Sequence, residues 1–140
     1  MASEIYLGLD VGSARIGVAM ARSDVRISSP LTTLQYSEQS WEDIQLLVAQ
    51  NNISALVVGW PRDMRGNETE QTRFAEEFAE KLREHVDIPV YLQDEALTSQ
   101  KAEAELNRRK KPYNKADIDA LAATYILEDY LLSHVEQPHV

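Results

Sequence analysis

The chain has 140 residues, 44% hydrophobic and 26% charged, a make-up that fits one folded domain and leaves little length for a second. It has no cysteine, which excludes disulfides, thiolate metal sites and a cysteine nucleophile. Its 14 Lys and Arg stand against 23 Asp and Glu, a formal net charge of −9 that argues against coating nucleic acid by bulk attraction.

The amino end carries Glu4 where a signal peptide would carry Lys or Arg. No apolar run approaches the roughly 20 residues that span a bilayer. A cytoplasmic protein without a membrane segment is expected, with one domain over residues 1–134 and a loose tail at 135–140.

Residues 5–11, I-Y-L-G-L-D-V, alternate as a strand, with Ile5, Leu7, Leu9 and Val11 on one face and Tyr6, Gly8 and Asp10 on the other. Gly12 and Ser13 signal a tight turn, and residues 15–21, R-I-G-V-A-M-A, complete a hairpin. Residues 26–35 make a third strand, in which Pro30 predicts an edge position or a bulge. The period then changes. Residues 41–51 read as a helix with Ser40 as N-cap and Asp43 in the capping-box place. The apolar run 53–59, I-S-A-L-V-V-G, predicts a buried parallel strand, followed by a polar loop, W-P-R-D-M-R-G-N-E. Residues 70–85 form an amphipathic helix with Phe74, Phe78 and Leu82 on one stripe. A fifth strand covers 88–93, a helix runs from near Thr98 to Arg109, R-R-K-K-P-Y-N breaks it, and a last helix covers 116–132. Three leading strands followed by α/β alternation imply a mixed sheet with helices on both faces.

Three acidic positions stand out. Asp10 lies inside an apolar strand, with Gly8 on the same face leaving room beside the carboxylate. The other reading is a strand-end Asp serving the following turn. Asp94 and Glu95 close the fifth strand, and ligands gather at the carboxyl ends of parallel strands. Asp94 also suits a cap or turn; Glu95 has less structural reason to be there. Asp119 begins a stripe through Ala122, Ala123, Ile126 and Tyr130, and a carboxylate there is costly unless paired or metal-bound. Its alternative is a helix N-terminus favouring negative charge. Asn114 as N-cap and Asp117 three residues on give Asp117 a structural job. Converging carboxylates suit Mg²⁺, and two such ions activate water and stabilise a leaving oxygen in phosphodiester cleavage. His85, His134 and His139 sit at a helix end and near the carboxyl terminus and read as structural or solvated.

Four stretches resemble one family: D-V-G-S-A-R-I-G-V-A at 10–19, V-V-G-W-P-R-D-M-R-G-N-E at 57–68, Y-L-Q-D-E-A-L-T-S at 91–99 and N-K-A-D-I-D-A-L-A-A at 114–123. In order and spacing they resemble the YqgF family, described as pre-16S rRNA nucleases and as Holliday junction resolvase-like. The resemblance implies an RNase H-like α/β fold: a five-stranded mixed sheet, order 3-2-1-4-5, with the second strand antiparallel. It also implies an acidic catalytic and metal-binding triad of Asp10, Glu95 and Asp119, holding one or two Mg²⁺ or Mn²⁺ ions. The family's Arg after the D-E pair is replaced here by Ala96, which puts a phosphate contact at that point in question.

Basic residues supply the expected substrate contacts. Arg62 and Arg65 lie in the loop beside the active edge, where Gly66 allows backbone approach, and Arg15 follows the first turn. Arg108, Arg109, Lys110, Lys111 and Lys115 supply 5 of the 14 basic residues within eight positions, with Tyr113 interleaved to stack on an unpaired base. Each has the alternative of an ordinary solvated surface.

The expected function is therefore a metal-dependent nuclease in 5′-end maturation of pre-16S rRNA during ribosome biogenesis. Its partners would be nucleic acid and ribosomal precursor particles, the protein itself a monomer or weak homodimer. The alternatives are a resolvase acting on branched DNA, a nucleotide-binding module (the first motif also resembles the phosphate loop of the actin and sugar-kinase group) and a non-catalytic RNA-binding domain.

Overall fold

Alternation in the first segment builds a strand buried on both faces, and the rest of the molecule is arranged around it. The computed structural model describes residues 4–25, 27–63, 65–96, 104–108 and 114–134. β1 (Ile5–Val11) pairs antiparallel with β2 (Arg15–Arg22), from Ile5↔Arg22 to Val11↔Ile16. The connecting turn is closed by Gly12 N–H donating to the Arg15 carbonyl at 2.9 Å. β3 (Ser28–Gln35) adds antiparallel to β2, and its register slips between Val18 and Ala19. Pro30 sits on this edge strand next to the slip, where its missing N–H breaks no ladder.

On the other side of β1, β4 (Ala55–Arg62) and β5 (Val90–Ala96) run parallel, giving the order β3-β2-β1-β4-β5 with only β2 reversed. β4 is longer than its apolar run. Trp60, Pro61 and Arg62, expected in a loop, pair with Asp94, Glu95 and Ala96. The pairing of β1 with β4 ends at Leu9↔Val58, so Pro61 lies where β4 has only β5 as its neighbour. The same extension carries β5 through Asp94 and Glu95, beyond the expected end at residue 93.

The two faces of the sheet differ in side-chain size. On one, Leu7, Leu9, Ile16, Val18, Leu56 and Val58 pack on Ile44 of α1 (Ser40–Asn51) and on Phe78 and Leu82 of α2 (Glu70–Arg83). On the other, Ala19, Ala21, Ala55 and Val57 meet Ala123, Ile126, Leu127 and Leu131 of α3 (Lys115–His134). Glycine and alanine on this second face let α3 lie close. A Cβ on Gly8 would stand 2.9 Å from the Ala123 carbonyl oxygen, and one on Gly59 would stand 2.5 Å from Ile126 Cδ1. Gly8 therefore makes room for the helix backbone, not for a ligand beside Asp10.

The caps explain two helix starts. Thr69 and Thr72 form a reciprocal capping box on α2, and the Thr72 hydroxyl also donates to the Pro61 carbonyl, tying α2 to the end of β4. On α3, Asn114 Oδ1 accepts from Asp117 N–H and Asp117 Oδ2 accepts from Asn114 N–H, both at 3.0 Å, as the sequence predicts. The reading of Ser40 as a cap with Asp43 is corrected. Gln39 holds the N-cap position of α1 without a side-chain cap, and the fully buried Ser40 hydroxyl donates to the Gln35 carbonyl and accepts from Ser37 N–H. Burial turned that hydroxyl toward the incoming chain. Of the helix expected over 98–109, residues 104–108 are described and are helical, with Leu106 packed on Leu121 and Ala122. Among the described residues, no helix is long and apolar enough to cross a membrane.

Candidate active site

One row of residues across three strands receives the first turns of α3. Asp10 of β1 pairs with Gly17 of β2, and Gly17 pairs with Thr33 of β3. The Asp119 backbone rests on Gly17, where a Cβ would lie 2.0 Å from the Asp119 carbonyl oxygen. The Thr33 hydroxyl donates to the Ala116 carbonyl at 2.8 Å, and farther along α3 the buried Ser28 hydroxyl donates to the Thr124 carbonyl at 2.9 Å. Space at Gly17 and hydrogen bonds from β3 thus fix the start of α3 over the end of β1, and bring Asp119 beside Asp10.

The electrostatics follow from that placement. Desolvation, and then the neighbouring Asp119 carboxylate, push the Asp10 carboxyl up to about 7. Asp119 carries a counter-charge of its own: Arg15 Nε donates to Asp119 Oδ2 at 2.6 Å, with both side chains mostly buried. This joins residues 104 positions apart. The donor set suits a hard divalent cation, since two adjacent carboxylates already draw a positive group onto one of them.

Glu95 is on the same face of the sheet but two strands away. It is 8% exposed and pairs with Pro61, three positions beyond the Val58 that pairs with Leu9. Among the described residues, no three His, Cys, Asp or Glu side chains converge closely enough to hold a metal ion. Asp119 lies near enough to Asp10 to raise its carboxyl, while Glu95 stands at the margin of the same face.

The expected basic contacts divide. Arg15 sits at the acidic pair. Arg62 is engaged by Asp94 through two nitrogens (Nε to Oδ1 at 2.8 Å), donates from Nη1 to the Gly66 carbonyl at 3.1 Å and lies 5.4 Å above the Trp60 ring. Asp94 therefore has a partner in Arg62. Arg65 is exposed in a tight turn in which Asp63 Oδ1 accepts from the backbone N–H of Arg65 and Asn67. These bonds hold the Asp63 carboxyl below its ordinary value. Gly66 takes a φ of +84°, a backbone conformation the turn requires and glycine adopts freely. Arg108 is exposed at the end of the 104–108 segment, which is bound to α3 through Leu106 and through the Tyr125 hydroxyl on Glu105. Arg109, Lys110, Lys111 and Tyr113 lie outside the described residues, as does the 135–140 tail. His85 stacks on Trp41 at 4.9 Å, a packing role.

Gly17 and Thr33 are the positioning residues that the sequence reading passed over. The available signal was Gly17 itself, because glycine inside a strand weakens it unless a close approach needs the space.

Residues 4–133 match the model of the RuvX family, described as Holliday junction resolvase. The chain is 42% identical over 143 aligned residues to a protein of Chloroflexus aurantiacus named "Putative pre-16S rRNA nuclease", covering 99% of this chain and 94% of that one. A protein of the same name from a Sulfurihydrogenibium species is 40% identical, covering 89% and 88%. Among solved structures, T. thermophilus RuvC in complex with a Holliday junction substrate superposes with a TM-score of 0.59 at 17% identity, covering 97% of this chain and 99% of that one. That likeness establishes the fold as RNase H-like, and the family match over nearly the whole length establishes that the chain belongs to the RuvX family.

Proposed function

We propose that this chain is a divalent-metal-dependent nuclease that hydrolyses phosphodiester bonds, with the 5′ end of precursor 16S rRNA as its substrate. The observation that carries the chemistry is the Asp10–Asp119 pair held against Gly17 at the end of β1. The name carried by relatives about 40% identical over most of the chain supports the substrate.

Asp10 and Asp119 would hold Mg²⁺ or Mn²⁺, one or two ions, with Glu95 joining from β5. Bound there, such a cation supplies activation of water and stabilisation of the leaving oxygen. The chain's own groups do the rest. The Gly17–Asp119 contact fixes where the two carboxylates lie. Arg15, Arg62, Arg65 and Arg108 offer cations to backbone phosphates, and Arg109, Lys110, Lys111 and Tyr113 are further candidates by sequence alone. The reaction belongs to the cytoplasm, on precursor ribosomal particles, with the protein as monomer or weak dimer.

The family description favours a second reading, cleavage of four-way DNA junctions. One experiment separates the two. A precursor 16S rRNA fragment and a four-way junction are each incubated with wild type and Asp10→Asn in Mg²⁺. The expected result is cleavage of the rRNA by wild type alone. Cleavage of the junction alone selects the second reading; equal cleavage by both proteins removes Asp10 from the mechanism; binding of RNA without cleavage leaves a binding domain.

A further inference from the structure

Arg15 spends its Nε on Asp119 and nothing else. Its Nη1 and Nη2 make no hydrogen bond among the described residues, and its side chain is 29% exposed against 19% for Asp119. Guanidinium keeps its charge at every working pH and carries five N–H donors, so four remain for another acceptor. The residue is anchored at the first position of β2, two residues from Gly17 and on the same face. Its stem is fixed beside the site while its head can turn. The pair has a single point of contact and keeps some access to solvent, so a stronger cation can displace it.

We propose that Arg15 is an exchangeable counter-cation of the Asp10–Asp119 pair: it holds Asp119 until a divalent cation takes that carboxylate, and then turns its guanidinium to a substrate phosphate. The proposal rests on the metal-dependent reading above. Arg15 and the divalent cation compete for one carboxylate. A phosphate that draws Arg15 away therefore favours loading of the cation, and the loaded cation favours phosphate binding by the same factor. A static role, in which Arg15 only holds Asp119 in place, has the opposite consequence, because its removal would loosen a ligand and weaken the cation.

Binding of Mn²⁺ alone, followed by the loss of its free-ion paramagnetic resonance signal, decides the sign. It is measured for wild type, Arg15→Gln and Arg15→Lys, with circular dichroism melts as the check on folding. The expected result is binding a few-fold tighter in Arg15→Gln, and near wild type in Arg15→Lys, which keeps the charge. Equal or weaker binding in Arg15→Gln overturns the proposal alone. Mn²⁺ binding by none of the three overturns the metal reading and this proposal with it. In wild type, independent of any variant, the Arg15 Nε–H resonance must shift when Mg²⁺ is added to saturation. A resonance unchanged at saturation also overturns the exchange.

Discussion

The Asp119 carbonyl sits on Gly17 so closely that a Cβ there would lie 2.0 Å from its oxygen. Because the obstacle is helix backbone, the clash cannot be relieved by rotating a side chain. Gly17→Ala is expected to lose at least about 3 kcal/mol, the upper end of overpacking costs, and to part Asp119 from Asp10. Gly59→Ala meets only the end of the Ile126 side chain and should cost less. Urea midpoints of the two variants test the order; equal losses would mean that α3 tolerates displacement over β2.

The Asp10 carboxyl predicts an unusual pH dependence. Its value of about 7 in the folded chain lies above the 3.8 of a free Asp carboxyl, so the native state holds the proton more tightly than the unfolded state. Folding is therefore favoured below pH 4, and that contribution is lost as pH rises through 7, by linkage on the order of 4 kcal/mol. Asp10→Asn, which stays neutral, should match wild type in a chelator at pH 4 and melt several degrees higher at pH 8. A lower melting temperature at pH 8 would show the carboxylate to be stabilising.

Arg62 and Asp94 are both more than a third exposed, so their ion pair contributes little to folding. Arg62→Gln should change stability by less than about 1 kcal/mol. If Arg62 also contacts phosphate, the slope of log affinity against log salt for a single-stranded oligonucleotide becomes shallower by about 0.7. An unchanged slope would assign Arg62 to Asp94 and Gly66 alone.

Thr72 is fully buried, shares the capping box with Thr69 and donates to the Pro61 carbonyl. Thr72→Val removes the hydroxyl with little change in shape and should cost about 1–2 kcal/mol. Thr72→Ser should recover most of it. Thermal melts of both variants distinguish the lost hydroxyl from a packing defect, in which case Ser would fail as well.

The periodicities of the chain determined its strands, its helices and the acidic positions worth attention, because alternation and helical stripes are local records of which side of an element is covered. Asn114 and Asp117 were legible as a cap for the same reason: the bond spans three residues. The resemblance added the sheet order, which strand patterns alone leave open. Tertiary packing decided the rest. It spent Gly8 on the α3 backbone, turned Ser40 into the β3–α1 connection, gave Asp94 to Arg62 and lengthened β4 by pairing it with β5. It set Asp119 beside Asp10 with Arg15 upon it, while Glu95 stayed two strands away. Whether carboxylates a hundred residues apart meet depends on sheet register and on how near a helix can approach, and those are fixed only when the faces pack.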